Sequence, residues 1–105
     1  MATMRFNMTF HAKVERIDRL VACVQYIGVN EIIREQPMER HGRHGKRCLT
    51  DTGLILVMSD DNKLITGFMG TMAQVGSFFP GENIPVALKK QTRKNNEKYA
   101  FLLKM

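Results

Sequence analysis

The chain has 105 residues, of which 44% are hydrophobic and 25% charged, the proportions of an ordinary globular domain. Its 16 Lys and Arg outnumber its 10 Asp and Glu, and the net charge of +6 favours a polyanionic partner: nucleic acid, an acidic protein or an anionic membrane surface. No apolar run reaches the ~18 residues that span a bilayer, and the first residues lack a signal-peptide layout. We therefore expect a cytoplasmic protein with a single domain over residues 1–105.

The first third of the chain predicts two helices. A short strand or arm over residues 4–9 precedes a helix whose apolar residues recur at spacings of three and four up to Val24. Gly28 is expected to end this helix, because glycine readily adopts the left-handed conformation. Asn30 is then expected to cap a second, short helix, EIIREQ, that stops before Pro37.

The middle of the chain contains the clearest strand pattern. GLILVMSDDNKLITGFMG consists of two apolar runs around a polar turn at residues 59–62, which predicts a β-hairpin with apolar side chains on both faces. Residues 38–47 predict a loop or a ragged strand. Residues 48–52 are expected to extend a strand that pairs with the hairpin.

The last third predicts a strand followed by a helix. MAQVGSFF, residues 72–79, is expected to form the strand, and residues 84–105 the helix, with a weak point at Asn95 and Asn96. The order of elements predicts an α+β fold in which N-terminal helices pack on one face of a small twisted antiparallel sheet, with a C-terminal helix. Four cations of that last helix are candidate nucleic-acid contacts: Lys89, Lys90, Arg93 and Lys94.

The segment RHGRHGKR, residues 40–47, combines basic residues with glycines that let the backbone approach a ligand closely, which suits phosphate contact. A solvated loop is the alternative. His41, His44 and Cys48 resemble part of a zinc ligand set, but a structural site needs four ligands and the adjacent cations repel a dication, so we expect no metal. The candidate phosphate contacts in this segment are Arg40, Arg43, Lys46 and Arg47.

The start of the first helix offers candidate catalytic residues. His11, Glu15 and Arg19 lie at spacings of four residues, so a helix would align them on one face. A histidine near a helix N-terminus is favoured neutral and can accept a proton, and an arginine can stabilise a phosphorane during cleavage of RNA by its own 2′-hydroxyl. The alternative is structural: His11 caps the helix, and Glu15 and Arg19 form an exposed ion pair.

The two cysteines, Cys23 and Cys48, stand beside apolar residues and form no CxxC motif. Buried thiols are therefore expected, without a disulfide. The aromatic residues Tyr26, Phe78, Phe79 and Tyr99 are expected to belong to the core or to stack on bases.

The stretch Thr9-Phe10-His11-Ala12, leading into a helix with Arg16 and Arg19, resembles the HA…R…R start of a family of small bacterial proteins, and Lys63-Leu64-Ile65-Thr66 resembles its closing iiT strand. That family is grouped with the barnase–EndoU–colicin–RelE superfamily of ribonuclease toxins. The resemblance covers residues 8–67. It implies that His11 transfers the proton, that Arg19 holds phosphate, and that Thr66 bonds phosphate or positions a ligand. Glu15 occupies the position of the first arginine, with Arg16 one residue later.

These observations predict an RNA-binding protein that is a toxin-like, metal-independent ribonuclease or a degenerate relative that retains RNA binding. Arg16 and Arg19 are expected to neutralise phosphate together with the basic segment. The alternative is a non-enzymatic basic module of the kind that phages and mobile elements encode, docking on nucleic acid, the ribosome or an acidic host protein. Neither form requires a cofactor or a membrane.

Overall fold

The computed structural model of the chain describes residues 7–8, 17–40 and 42–104. Its strands are β1 (Asn7–Met8), β2 (Ile32–Arg40), β3 (Arg43–Thr50), β4 (Leu54–Ser59) and β5 (Lys63–Met69). Its helices are α1 (Ile17–Tyr26), α2 (Met72–Gly76), α3 (Val86–Lys98) and a final 3₁₀ helix (Ala100–Lys104). The strands form one sheet in the order β1-β5-β4-β3-β2, with β1 parallel to β5 and the remaining pairs antiparallel. The α+β class predicted from the sequence is confirmed.

The predicted hairpin is present as β4 and β5, and the strand predicted over residues 48–52 is the end of β3. Ser59 closes the hairpin turn, because its hydroxyl accepts a hydrogen bond from the backbone N–H of Lys63 at 3.1 Å. Asn62 in this turn has a positive φ of 63°, a conformation that asparagine tolerates better than most residues. Side chains of β4 alternate between the two sheet faces, and both sets are buried.

Helices cover both faces of the sheet, which corrects the prediction of a single covered face. On one side, the α1 face, Leu20 of α1 packs with Leu56 and Met58 of β4. On the other, the α2 face, Phe78 and Phe79 follow α2 and pack with Ile55 of β4. A three-layer arrangement results, because the apolar residues on both sides of β4 need a covering element. Cys23 and Cys48 are buried free thiols, as predicted.

The segment predicted as a second helix is strand β2, so that prediction is wrong. Asn30 does not cap a helix: its backbone N–H and its side-chain amide both donate to the carboxylate of Asp51, at 3.1 and 3.0 Å. This contact holds the chain beside the β3–β4 turn, where it continues as an edge strand. Pro37 fits an edge strand, since its missing N–H can face away from the neighbouring strand. Gly28, with φ of 82°, lies just after α1, close to the predicted end of that helix.

The segment predicted as a strand after Gly70 begins with helix α2, so that prediction is also wrong. Thr71 caps the helix by accepting from the backbone N–H of Gln74 at 3.3 Å, while the Gln74 side chain accepts from the Thr71 N–H at 2.9 Å. This reciprocal capping box satisfies two N–H groups that a short helix otherwise leaves unpaired. The turn predicted at Pro80-Gly81 is present, with Gly81 at φ of 71°.

The C-terminal helix is present as α3, but its break lies later than predicted. Asn95 is fully buried, and its side-chain amide donates to the carbonyl of Thr52 at 2.8 Å. Asn96 donates to the carbonyl of Gly70 at 3.0 Å. These bonds fix the helix to the ends of the central strands, so the two asparagines act as anchors. The chain leaves the α-helix at Tyr99 and continues as the 3₁₀ helix.

Candidate nucleic-acid interface

Arg19 joins α1 to strand β5. Its Nε donates to the carbonyl of Gly67 at 3.0 Å, and its Nη2 donates to the hydroxyl of Thr66 at 2.6 Å. Its guanidinium carbon lies 5.7 Å from the ring centroid of Phe68. Thr66 is buried and Arg19 half-buried. Arg19 meets Thr66 across 47 sequence positions. Glu15, its partner in the predicted ion pair, lies outside the described residues, so that alternative stays a prediction.

Arg47 lies on the same row of the sheet as Thr66. The register pairs Arg47 of β3 with Val57 of β4, and Val57 with Thr66 of β5. Residues that pair directly share a face of the sheet, and neighbouring strands are ~4.8 Å apart, so Arg47 and Thr66 are ~10 Å apart on the α2 face. Arg47 and Thr66, whose hydroxyl Arg19 contacts, consequently lie on either side of Val57.

Arg47 is held against an aromatic ring. Its guanidinium carbon lies 5.5 Å from the ring centroid of Phe78, which is itself buried in the core. Its Nε is buried and has no hydrogen-bond acceptor among the described residues. A buried donor without an acceptor lowers the free energy of unfolding by ~1–3 kcal/mol. A ligand oxygen that accepted from Arg47 would therefore gain both a hydrogen bond and the attraction of its positive charge.

The rest of the α2 face is closed by the chain around α2. Gln36, which pairs with Arg47, donates its side-chain amide to the carbonyl of Ser77. Arg34 lies 4.6 Å from the centroid of Phe79 and forms an ion pair with Glu82 at 3.4 Å. Arg34 is thus neutralised by a carboxylate, whereas none of the ion pairs formed between described residues includes Arg47. The local field at the row Arg47–Val57–Thr66 favours an anion.

In the basic segment, Arg40 ends β2, Gly42 follows it in the connection to β3, and residues 43–47 are the first half of β3. Arg40 and Arg43 pair directly across the turn, and Gly42 adopts a positive φ of 75°. The ragged-strand alternative is therefore correct for most of the segment. The structure does not describe the side chains of Arg40 and Arg43, so their predicted phosphate contacts remain predictions.

Lys46 and Arg47 point to opposite faces, because consecutive residues of a strand alternate. Lys46 forms an ion pair with Glu35 at 3.2 Å on the α1 face. The structure thus separates Lys46 from the row that contains Arg47 and Thr66.

The four cations predicted in the last helix form a separate basic surface. Leu88, Thr92 and Asn95 are the buried side of α3. With 100° between successive residues, the cations lie on the opposite side, and all four are exposed. These cations are Lys89, Lys90, Arg93 and Lys94. The structure does not bring them into the row Arg47–Val57–Thr66 on the α2 face.

A metal site at His44 and Cys48 does not fit the strand geometry. Four residues of a β-strand span ~13 Å, whereas ligands of one metal ion converge within a few ångströms. Within residues 7–8, 17–40 and 42–104, no group of three or more His, Cys, Asp or Glu is placed to hold a metal ion. His41 lies outside these residues.

His11 and Arg16 lie outside the described residues, so their predicted roles stay predictions. Sequence reasoning missed the part played by Phe68 and Phe78, whose rings lie beside the two guanidinium groups. Of the two alternatives predicted for Phe78 and Phe79, the core is confirmed, since both side chains are buried. No short pattern in the sequence marks an arginine that contacts a distant ring, since the pair forms only through the register of the sheet.

No helix in the described part of the chain has the length and apolar character needed to cross a membrane. Comparison of the chain with protein-family models, with curated proteins and with solved structures found no match. The resemblance to the ribonuclease toxin superfamily therefore stays a prediction, and the candidate site depends on the geometry of Arg19, Arg47 and Thr66.

Proposed function

We propose that this chain binds RNA with Arg47 and Arg19, whose guanidinium groups lie at the two ends of the row Arg47–Val57–Thr66. The observation that carries the proposal is that sheet pairing puts Arg47 and Thr66 in one row, and that the Arg19 guanidinium, from α1, contacts Thr66 at the end of that row. Arginine suits phosphate because its planar group can donate two parallel hydrogen bonds to a phosphate oxygen pair. A chain with a net charge of +6 is also attracted to a polyanion at long range.

In the catalytic form of the proposal, RNA is cleaved by its own 2′-hydroxyl without a metal ion. The 2′-hydroxyl loses its proton to His11, its oxygen bonds to phosphorus, and the bond from phosphorus to the 5′ oxygen breaks as that oxygen takes up a proton from a water molecule. The products carry a 2′,3′-cyclic phosphate and a 5′-hydroxyl. Arg19 and Arg47 stabilise the negative charge that accumulates on the phosphorane oxygens.

The second candidate is a module that binds RNA or another polyanion without cleaving it. Arg19 favours this form, because it already donates its Nε and one Nη to Gly67 and Thr66 and so fastens α1 to β5. An arginine committed to the protein in this way supports the shape of the site as well as its charge.

The test is incubation of the full chain with total RNA in EDTA, beside His11→Ala and Arg47→Ala. The proposal predicts fragments ending in 2′,3′-cyclic phosphate with the unaltered chain, intact RNA with His11→Ala, and weaker binding with Arg47→Ala. Intact RNA with salt-sensitive binding that His11→Ala leaves unchanged would support the non-cleaving module. Absence of RNA binding at low salt would overturn both forms and favour an acidic protein partner.

A further inference from the structure

Three aromatic rings form an exposed cluster where the end of α1 meets the 3₁₀ helix. The ring of Tyr26 lies 5.6 Å from that of Tyr99 and 5.3 Å from that of Phe101, and Tyr99 and Phe101 are 6.3 Å apart, centroid to centroid. Tyr26 is 54% exposed and Phe101 is 49% exposed. Tyr99 is half-buried and packs against the core cluster that includes Leu54 and Leu102, whereas Tyr26 and Phe101 extend the ring cluster to the surface.

The ring cluster is held in place by the fold beneath it. Leu102, between Phe101 and Leu103, is buried with Cys23 and Leu54 on the α1 face of the sheet. The Tyr99 N–H donates to the carbonyl of Asn95 at 2.8 Å, and the Leu102 N–H donates to the carbonyl of Tyr99 at 2.9 Å. Anchoring Leu102 leaves its neighbours facing outward, so the exposure of Phe101 follows from the packing.

The geometry of the rings leaves aromatic surface available. Tyr26 and Tyr99 each contact Phe101 at interplanar angles of 83° and 77°, which are edge-to-face arrangements. Such a contact uses the edge of one ring and one face of the other, and the remaining faces can stack on a further planar group. Large exposed apolar groups that lie together mark interaction sites more often than scattered ones do.

The basic side of α3 leads directly to the ring cluster. Lys98, in the last turn of α3, has its Nζ 5.4 Å from the centroid of Tyr99. From Lys90 to Lys98 the helix rises ~12 Å, and Arg93 and Lys94 lie between them, with Glu97 as the acid on this surface. Cations in a row that end beside exposed rings match the two features of single-stranded nucleic acid: a charged backbone and unpaired flat bases.

We propose that the ring cluster Tyr26, Tyr99 and Phe101 stacks on the bases of a single-stranded RNA segment, with the phosphates along the basic side of α3. The choice of RNA rests on the function proposed for the α2 face, whereas the ring cluster and the helix are a separate surface. Stacking tolerates any base, since every base has a flat π face, so this surface supplies affinity for unpaired RNA without fixing its sequence.

The test compares binding of a labelled single-stranded oligouridine and a duplex of equal length by fluorescence anisotropy. The substitutions Phe101→Leu and Tyr26→Leu remove the rings but keep apolar side chains of similar reach. Leu103→Ala is the matched control, because Leu103 is a half-exposed neighbour in the same 3₁₀ helix and has no ring. Circular dichroism and thermal unfolding establish that each variant is folded.

We expect each ring substitution to weaken binding of the single strand about tenfold, to change duplex binding little, and Leu103→Ala to change neither. Equal affinity of both ring variants and the unaltered chain for the single strand would overturn the proposal, as would equal losses on single strand and duplex. The same variants are tested for binding to vesicles of anionic phospholipid. If the ring variants lose vesicle binding and keep RNA binding, the proposal is overturned in favour of a membrane surface.

The same titrations separate this proposal from that for the α2 face. If Arg47→Ala weakens RNA binding and the ring variants do not, the ring proposal fails and the proposed function stands. If the ring variants weaken binding and Arg47→Ala does not, the ring proposal stands and the α2-face proposal fails.

Discussion

The two glycines of RHGRHG serve different purposes. Gly42 has a φ of +75°, and an added Cβ would meet nothing within 4 Å, so backbone conformation alone favours glycine there. Gly45 lies within β3, where an added Cβ would be 2.6 Å from the carbonyl oxygen of Met58 on the next strand. The repeat in the sequence therefore arises from a turn and a close strand contact, and it does not form a repeated ligand set.

Gly45→Ala is expected to destabilise the chain by ~1–3 kcal/mol, because the methyl group would press on the backbone of β4. Gly76→Ala is the matched control, since its Cβ would meet Ile84 at an ordinary 3.6 Å within α2. That substitution is expected to stabilise the chain by ~0.4–1 kcal/mol through the unfolded state. Urea denaturation measures both, and a stability of Gly45→Ala equal to that of the unaltered chain would contradict the close contact.

The thiols of both cysteines are expected to be unreactive in the native chain. Burial and the nearby carboxylate of Glu35 raise the pKa of Cys48 to about 11 from its ordinary 9.0, and burial raises that of Cys23. Thiolate is the reactive form, so a disulfide reagent at pH 8 should label neither residue until denaturant is added. Rapid labelling of the native chain would contradict this burial.

The raised pKa of Cys48 also predicts the direction of a pH effect on stability. The folded state holds the proton more tightly than the unfolded state, so the contribution is complete below pH 9 and is lost as the pH rises toward 11. Urea denaturation of the unaltered chain at pH 8 and at pH 10.5 should therefore show a decline that is smaller in Cys48→Val. An equal decline in both chains would contradict the assignment.

At the scale of elements, the sequence predicted the elements that local contacts determine and missed those that depend on residues distant in the chain. The hairpin of β4 and β5 was predictable because both strands and their turn are adjacent in the chain. Strand β2 was not, because Asn30 binds Asp51, 21 positions away, while the local pattern was also typical of a capped helix. The sequence does contain the signal for α2, the pair Thr71 and Gln74 at capping-box spacing, but apolar residues after it favoured a strand.

The same limit applies to the candidate site. Arg19 and Thr66 followed from the resemblance to a ribonuclease toxin family, and the structure brings them within 2.6 Å of each other. Charge alone groups Lys46 with Arg47, whereas the alternation of strand β3 places them on opposite faces. The position of His11 relative to this row lies outside the described residues and was open to prediction only from the resemblance.

Helix α3 is attached to the sheet by buried amide groups, and Asn95 is the clearest of these. Its side chain donates to Thr52 and accepts from Gln91 at 2.7 Å. Asn95→Ala is expected to cost ~1–3 kcal/mol, because it leaves the Thr52 carbonyl without this donor. Lys94→Ala, exposed on the same helix, should change the free energy of unfolding by less than ~0.5 kcal/mol. Equal effects of the two substitutions would contradict the anchoring role.

Across the whole molecule, positive charge is distributed over surfaces that different elements build. The α2 face carries Arg47 of β3, Arg19 of α1 contacts Thr66 at the end of the same row, and the outer side of α3 carries its own cations. Ion pairs formed between described residues neutralise Arg34, Lys46 and Lys63 instead. Charge that is paired contributes little to attracting a polyanion, so Arg47 and the cations of α3, which are in none of these ion pairs, are expected to set the affinity for RNA.

The most direct test of the α2-face site is the salt dependence of RNA binding by Arg47→Ala, with Arg34→Ala as its control. Each arginine lies over a phenylalanine ring, but Arg34 is paired with Glu82. The plot of log affinity for single-stranded RNA against log salt should lose ~0.7 of its slope in Arg47→Ala, the share of one phosphate contact, and keep its slope in Arg34→Ala. Identical affinities and slopes for Arg47→Ala and the unaltered chain would contradict the claim that this face binds RNA.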